Sequence, residues 1–126
     1  MRILVVDDNE TNRVVAQLLL ERRGHDVLVA SCGPSALECM AKEVLDVVLM
    51  DLSMPGMDGL ETTRRIRSDD VNGELTVVAL TAHTSPKEQK MCLDAGMNAF
   101  MRKPFDSLQV DRLMGLLNHN SKDGAA

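Results

Sequence analysis

Asp46-Val47-Val48-Leu49-Met50, running into Asp51-Leu52-Ser53-Met54-Pro55-Gly56-Met57-Asp58-Gly59, is the stretch on which the fold turns. Four apolar residues in succession, with no polar residue at alternate positions, describe a strand covered on both faces. Such strands belong to parallel sheets flanked by helices. The Pro- and Gly-punctuated loop 53–59 ends the strand and leads into a helix over Leu60–Arg67, basic on its exposed side, where Arg64, Arg65 and Arg67 read as a solvated face or a partner surface.

Outward from this stretch the same alternation recurs. Further strands are expected at Arg2–Val6, Asp26–Ala30, Thr76–Leu80 and Ala99–Met101. Helices are expected at Thr11–Arg23, with Val14, Val15, Leu18 and Leu19 forming one apolar face, and at Gly33–Lys42, with Pro34 in its first turn. Two more follow at Pro86–Ala95, whose apolar stripe is weak, and at Leu108–Leu117. The expected fold is therefore α/β, a single-domain (βα)5 doubly wound parallel sheet with right-handed crossovers. The domain occupies residues 1–118, and 119–126 read as a flexible C-terminal tail.

Composition excludes several function classes. The 126 residues carry 14 basic and 19 acidic side chains, a net charge of −5, whereas a nucleic-acid surface is basic. There is no Trp or Tyr, and Phe100 and Phe105 are the only aromatics, so base-stacking platforms and aromatic cages are out of reach. No apolar run has the length of a membrane span, and Asp7 and Asp8 interrupt anything resembling a signal peptide. Cys32, Cys39 and Cys92 are scattered and odd in number, which fits small buried residues in a reducing, cytoplasmic setting.

In a parallel sheet, ligands bind outside the carboxyl ends of the strands. Those ends carry Asp7-Asp8-Asn9, Asp51, Thr81-Ala82 and Arg102-Lys103-Pro104. Three carboxylates at close quarters repel, and a divalent cation with oxygen ligands, Mg²⁺ or Mn²⁺, relieves them. Lys103 and Thr81 are available to hold phosphoryl oxygens, and Asp51, in the middle of the pocket, is the candidate nucleophile for forming an acyl phosphate. Singly, each feature has a plainer reading: an acidic pair is more often a solvated turn or helix cap, and a Lys-Pro dipeptide a loop. Their placement at four strand ends makes the set specific.

In these residues the sequence closely resembles the receiver domain of two-component response regulators. Val5-Val6-Asp7-Asp8-Asn9, Leu49-Met50-Asp51, Leu80-Thr81-Ala82 and Lys103-Pro104-Phe105 carry the resemblance, over residues 2–118. It implies a flavodoxin-like sheet of order 2-1-3-4-5. It implies that Asp51 would be phosphorylated by a histidine kinase or a histidine phosphotransfer protein. Asp8, Asp51 and the Ser53 backbone carbonyl would bind Mg²⁺, with Asp7 holding metal waters. Thr81 and Lys103 would bind the phosphoryl group, and Lys103-Pro104 would be a cis peptide. Thr81 and Phe100 would form the switch, with Phe standing where the family more often has Tyr. Ser53 and His83 would tune phosphoryl lifetime, although His83 reads equally well as a plain loop residue.

Such a domain is a phosphoacceptor and not an enzyme in its own right. The resemblance also implies partners: possible homodimerisation through helix 4, strand 5 and helix 5 on phosphorylation, and no direct nucleic-acid or membrane contact. Asp7-Asp8-Asn9-Glu10-Thr11-Asn12 and Met101-Arg102-Lys103-Pro104-Phe105 resemble the receivers of hybrid sensor histidine kinases in particular. The rival readings are a degenerate receiver acting only as an interaction module, an aspartate-nucleophile phosphohydrolase and a flavodoxin-like electron carrier. A phosphohydrolase needs a substrate cap that this chain has no residues to build. Flavin and phosphate binding fit poorly with the acidic loop after the first strand.

The weak stripe on the fourth helix describes an element packed loosely enough to shift. Amide-exchange protection over Pro86–Ala95 is accordingly expected to change when a phosphoryl mimic binds; equal protection in both states would refute this.

Overall fold

The computed structural model describes the chain apart from Pro55, Asp70, Val71, His83, Thr84, Pro104, Phe105 and Ala126, with backbone alone for residues 116 and 118–125. The elements alternate as β1 (Arg2–Val6), α1 (Glu10–Glu21), β2 (Asp26–Ala30), α2 (Gly33–Lys42), β3 (Val47–Asp51), α3 (Gly59–Arg67), β4 (Thr76–Thr81), α4 (Pro86–Ala95), β5 (Ala99–Arg102) and α5 (Ser107–Ala125). The strands are parallel in the order β2-β1-β3-β4-β5. This is the expected doubly wound sheet. β3 lies at its centre, and every one of its residues is buried.

The period of two along each strand sorts the core into two layers. Leu4, Val6, Val48, Met50, Val77 and Ala79 face α2, α3 and α4, where Ala36, Met40, Ile66 and Cys92 meet them. Ile3, Val5, Val47, Leu49, Val78 and Leu80 face α1 and α5, where Ala16, Leu20, Val110 and Leu113 meet them. Among the described residues, no helix is long and apolar enough to cross a membrane.

Three local features differ from the sequence reading. Of the apolar face expected on α1, Val14, Val15 and Leu18 are exposed, Val14 at 47% and Leu18 at 53%; Leu19 packs part-buried against the core, and Ala16 and Leu20 are the buried pair. The helical period admits either stripe. Ala16 and Leu20 are the ones that meet Ile3, Val5, Val47 and Leu49 of the sheet; beside them Arg13 donates to the Asp7 carbonyl at 2.7 Å. α5 continues through residues 118–125, beyond the expected end at Leu117. That segment has no proline, and its one glycine, Gly124, comes next to last in the helix, so the backbone has no reason to stop earlier.

The third difference is Arg67, which reads in sequence as part of a solvated basic face with Arg64 and Arg65. The latter two do pair on the surface, with Glu61. Arg67 instead turns toward the amino edge of the sheet and is part-buried there. It donates to the carbonyls of Gly96 (2.8 Å), Gly73 (3.0 Å) and Leu75 (2.6 Å) and to Asn98 Oδ1 (2.7 Å). Asn98 Oδ1 also accepts from the Val77 N–H at 2.8 Å. One planar fork thus joins the end of α3 to the connection that leads into β4 and to the one that leads into β5.

Removing the fork leaves several part-buried oxygens short of a donor, each costing about 1–3 kcal/mol. Arg67→Met is therefore expected to lower unfolding free energy by about 2–4 kcal/mol in urea titrations. Arg67→Lys is expected to recover less than half of the loss, because a single ammonium cannot span the same acceptors.

Candidate functional site

The carboxyl edge of the sheet brings four of the expected residues into one cleft. Asp7 follows directly on β1. Its backbone N–H continues the ladder to the Ala30 carbonyl at 3.1 Å, and its side chain, buried like the strand, accepts from the Asn9 N–H at 2.9 Å. Asp8 is exposed beside it. Asn9 caps α1, accepting from the Asn12 N–H.

Asp51 is the last residue of β3 and only 2% exposed. Its Oδ1 accepts from the Ser53 N–H at 3.1 Å and from Lys103 Nζ at 3.0 Å. Lys103 Nζ also reaches Asp7 Oδ2 at 3.3 Å. The lysine is held there because its own N–H donates to the Thr81 carbonyl at 2.8 Å, carrying the β4–β5 pairing one step further. The loop after Asp51 must then turn back under it. Gly59 makes this possible, because a Cβ at that position would overlap the Asp51 carbonyl oxygen. Asp58 caps α3 immediately before, accepting from the Glu61 N–H at 2.8 Å.

Thr81 ends β4, 8% exposed, and its hydroxyl donates to Glu88 Oε2 on α4 at 3.4 Å. Phe100, on β5, is half-buried against the layer that holds α2, α3 and α4. Ser53 is exposed on the loop. His83 and Pro104 lie outside the described residues, and with them the expectations about lifetime tuning at His83 and a cis Lys103-Pro104 bond. Glu88 is the neighbour that the sequence reading passed over. Its only sequence signal is the Ser85-to-Glu88 spacing, which marks a helix start.

The electrostatics of the cleft are unbalanced. One oxygen each from Asp7, Asp8 and Asp51 lies within 4.8 Å of the others. One ammonium stands against three carboxylates. Burial is the main reason that the Asp51 carboxyl is pushed up to about 6, with Asp7 adding to the rise and the bonds from Lys103 and Ser53 opposing it. Burial also works against the Lys103 charge, but Asp51 and then Asp7 outweigh it and raise its pKa above the usual lysine value. An all-oxygen donor set carrying excess negative charge is the chemistry that a hard divalent cation fits.

This edge geometry has counterparts in known proteins. The family model of the response regulator receiver domain matches residues 3–114. The chain belongs to that family. It is 43% identical over 106 residues to the sensory/regulatory protein RpfC of Xanthomonas campestris pv. campestris, a match covering 82% of this chain and 15% of RpfC. It is 38% identical over 116 residues to the sensor protein GacS of Pseudomonas syringae pv. syringae, covering 90% of this chain and 13% of GacS. The chain therefore spans only about a seventh of these curated relatives.

Among solved structures, Vibrio cholerae CheY4 superposes with a TM-score of 0.88 at 27% identity, covering 92% of this chain and 97% of that one. The receiver domain of the Pseudomonas aeruginosa sensor histidine kinase PA1611, solved with a magnesium ion coordinated in its active-site cleft, gives 0.80 at 34% identity, covering 89% and 92%. This chain is thus a receiver domain of two-component signalling, with relatives among both hybrid sensor kinases and response regulators.

The Asp51 shift has a consequence for stability. Its folded pKa of about 6 lies above the ordinary 3.8, so the folded state favours the protonated carboxyl. Its contribution is most favourable below the unfolded value and is lost as pH rises from about 4 through about 6. Without divalent cation, Asp51→Asn is therefore expected to melt higher than wild type at pH 7, by an amount worth about 1–3 kcal/mol. The difference is expected to vanish near pH 4 in calorimetry.

Proposed function

We propose that Asp51 is the phosphoacceptor of this receiver domain and takes its phosphoryl group from a phosphohistidine donor. The observation that carries the reading is the buried Asp51 carboxylate, bonded at 3.0 Å to Lys103 and sharing its cleft with Asp7 and Asp8. An Asp51 oxygen forms the new O–P bond as the P–N bond of the donor breaks, and the bonding electron pair leaves with the imidazole nitrogen. Lys103 holds an equatorial phosphoryl oxygen by a charge-assisted bond, and Thr81 donates its hydroxyl to another.

Asp8, Asp51 and the Ser53 carbonyl are the residues that would hold Mg²⁺, or Mn²⁺, with Asp7 holding its waters. When bound, the ion offsets the carboxylate charge and takes a phosphoryl oxygen. The PA1611 receiver, with magnesium in its cleft, supports this assignment.

The domain undergoes one phosphorylation per activation, with self-phosphorylation and self-dephosphorylation as its only chemistry, and is not an enzyme with a diffusing substrate. Its donor is a histidine kinase or a histidine phosphotransfer protein, which places the domain in the cytoplasm. Kinship with RpfC and GacS supports an origin within a hybrid sensor kinase.

Phosphorylation adds a charge of about −1.5 to −2 and three acceptor oxygens. Charge-assisted bonds worth about 1.5–3 kcal/mol each approach, in twos and threes, the roughly 5.5 kcal/mol that inverts a 1:99 equilibrium. Movement of Thr81 and Phe100 passes the change to the face of α4, β5 and α5. There a cavity of about 450 Å³ opens between Gln89, Phe100, Arg102, Gln109 and Arg112. That face is the one we assign to read-out, including phosphorylation-dependent pairing of two copies.

Incubation with acetyl phosphate tests the reading by intact mass. One added phosphoryl group is expected on wild type with Mg²⁺. None is expected without the ion or on Asp51→Asn. A missing adduct, together with no binding of beryllofluoride, would instead leave the interaction-module reading.

A further inference from the structure

Helix α4 is attached to the domain unevenly. It buries only Cys92 and Ala95, while Met91 and Leu93 are exposed. Its C-terminal end is held firmly: Gly96, in the left-handed region at φ 102°, presents its carbonyl to Arg67 Nε at 2.8 Å. At its N-terminal end, Ser85 caps the helix and Glu88 occupies the third helical position. The Ser85 hydroxyl accepts from the Glu88 N–H at 3.3 Å. A glutamate at this position commonly turns back to its own cap. Here Oε2 of the Glu88 carboxylate meets β4 and takes the Thr81 hydroxyl at 3.4 Å.

We propose that Glu88 is a positioning residue that holds the Thr81 hydroxyl on α4 in the unphosphorylated domain, so that phosphorylation of Asp51 releases the N-terminal turn of α4. The inference rests on the reading above in which Thr81 donates to the phosphoryl group. A hydroxyl has one proton to donate. It goes to Glu88 or to a phosphoryl oxygen, not to both. The negative carboxylate also disfavours a second anion at the same hydroxyl. When the phosphoryl group takes the proton, the N-terminal end of α4 loses this tie to β4 while Arg67 keeps the other end. The helix then pivots about Gly96 rather than sliding as a unit. Linkage requires reciprocity: whatever weakens the Thr81–Glu88 contact strengthens phosphoryl binding by the same factor.

A double-mutant cycle on the full chain tests this, with beryllofluoride and Mg²⁺ as the probe and titration calorimetry as the readout. Glu88→Ala is expected to bind the probe about 3- to 10-fold tighter than wild type. In a Thr81→Ala background the same substitution is expected to lose most of that gain, keeping only the part, below about 2-fold, that comes from removing a negative charge. Glu88→Gln keeps an acceptor and removes the charge, and is expected to fall between wild type and Glu88→Ala; it serves as the test variant if Glu88→Ala melts α4.

A Glu88 that only caps the helix would shift affinity equally in both backgrounds, or in neither, and either result overturns the proposal. Failure of the underlying reading looks different. Thr81→Ala alone would then bind the probe as tightly as wild type, whatever stands at position 88.

Discussion

Two carboxylates at neighbouring strand ends, Asp7 and Asp51, are almost without solvent, and a single ammonium, Lys103 Nζ, reaches both. Burying two anions beside one cation is costly, because desolvation outweighs what one partner returns. The domain tolerates the arrangement because other groups share the load. The Ser53 and Asn9 N–H groups each donate to one of the two carboxylates, and the exposed Asp8 keeps its own charge in water. What remains is an excess of negative charge at one point, held ready for cations and for chemistry that neutralises it. Every other feature of the carboxyl edge serves to keep these groups in place.

The sheet supplies that rigidity. β3 is central and buried throughout, so Asp51 rides on the most completely buried strand, and the turn at Gly59 brings α3 directly beneath it. Lys103 comes from the opposite side, one residue past an edge strand, and is tied back to Thr81 by a main-chain bond. The site therefore combines an acceptor on a fixed strand with a cation on a shorter one. The helix that the Thr81 hydroxyl meets, α4, is the most lightly packed of the helices on its face. Rigidity at the acceptor and looseness at α4 are complementary: a local charge change can be felt only where the packing has room to answer.

Most of this was legible in the sequence, for a specific reason. Parallel topology sends every strand end to one edge, so Asp7, Asp8, Asp51, Thr81 and Lys103 could be placed together from order alone, and the family motifs then agreed. β1, β2, α2 and α4 have the expected bounds because Pro34, Pro86 and the β-branched runs mark them. What the sequence concealed depends on contacts between distant segments. The α1 stripe could face either way, because Val14 and Leu18 are four apart just as Ala16 and Leu20 are, and only the sheet decides between them. Arg67 looks like its neighbours Arg64 and Arg65, because nothing in one dimension shows that three carbonyls and an amide from 73–98 wait for it. Glu88 carries a capping signature that hides its contact with β4. Charged side chains with remote partners are what periodicity and composition cannot resolve.

The Arg67 fork has a further meaning for cooperativity. Its acceptors on Gly73, Leu75, Gly96 and Asn98 come from the connections into β4 and into β5, and they converge on one guanidinium only when both strands are in the sheet. If one of these segments leaves, the fork loses its frame and part-buried oxygens of the others go short of a donor. The fork therefore couples the end of α3, β4 and β5 into one unit that opens together or not at all. The lightly packed α4 is anchored to that unit at its C-terminal end, so what happens at its N-terminal end need not spread to the strands.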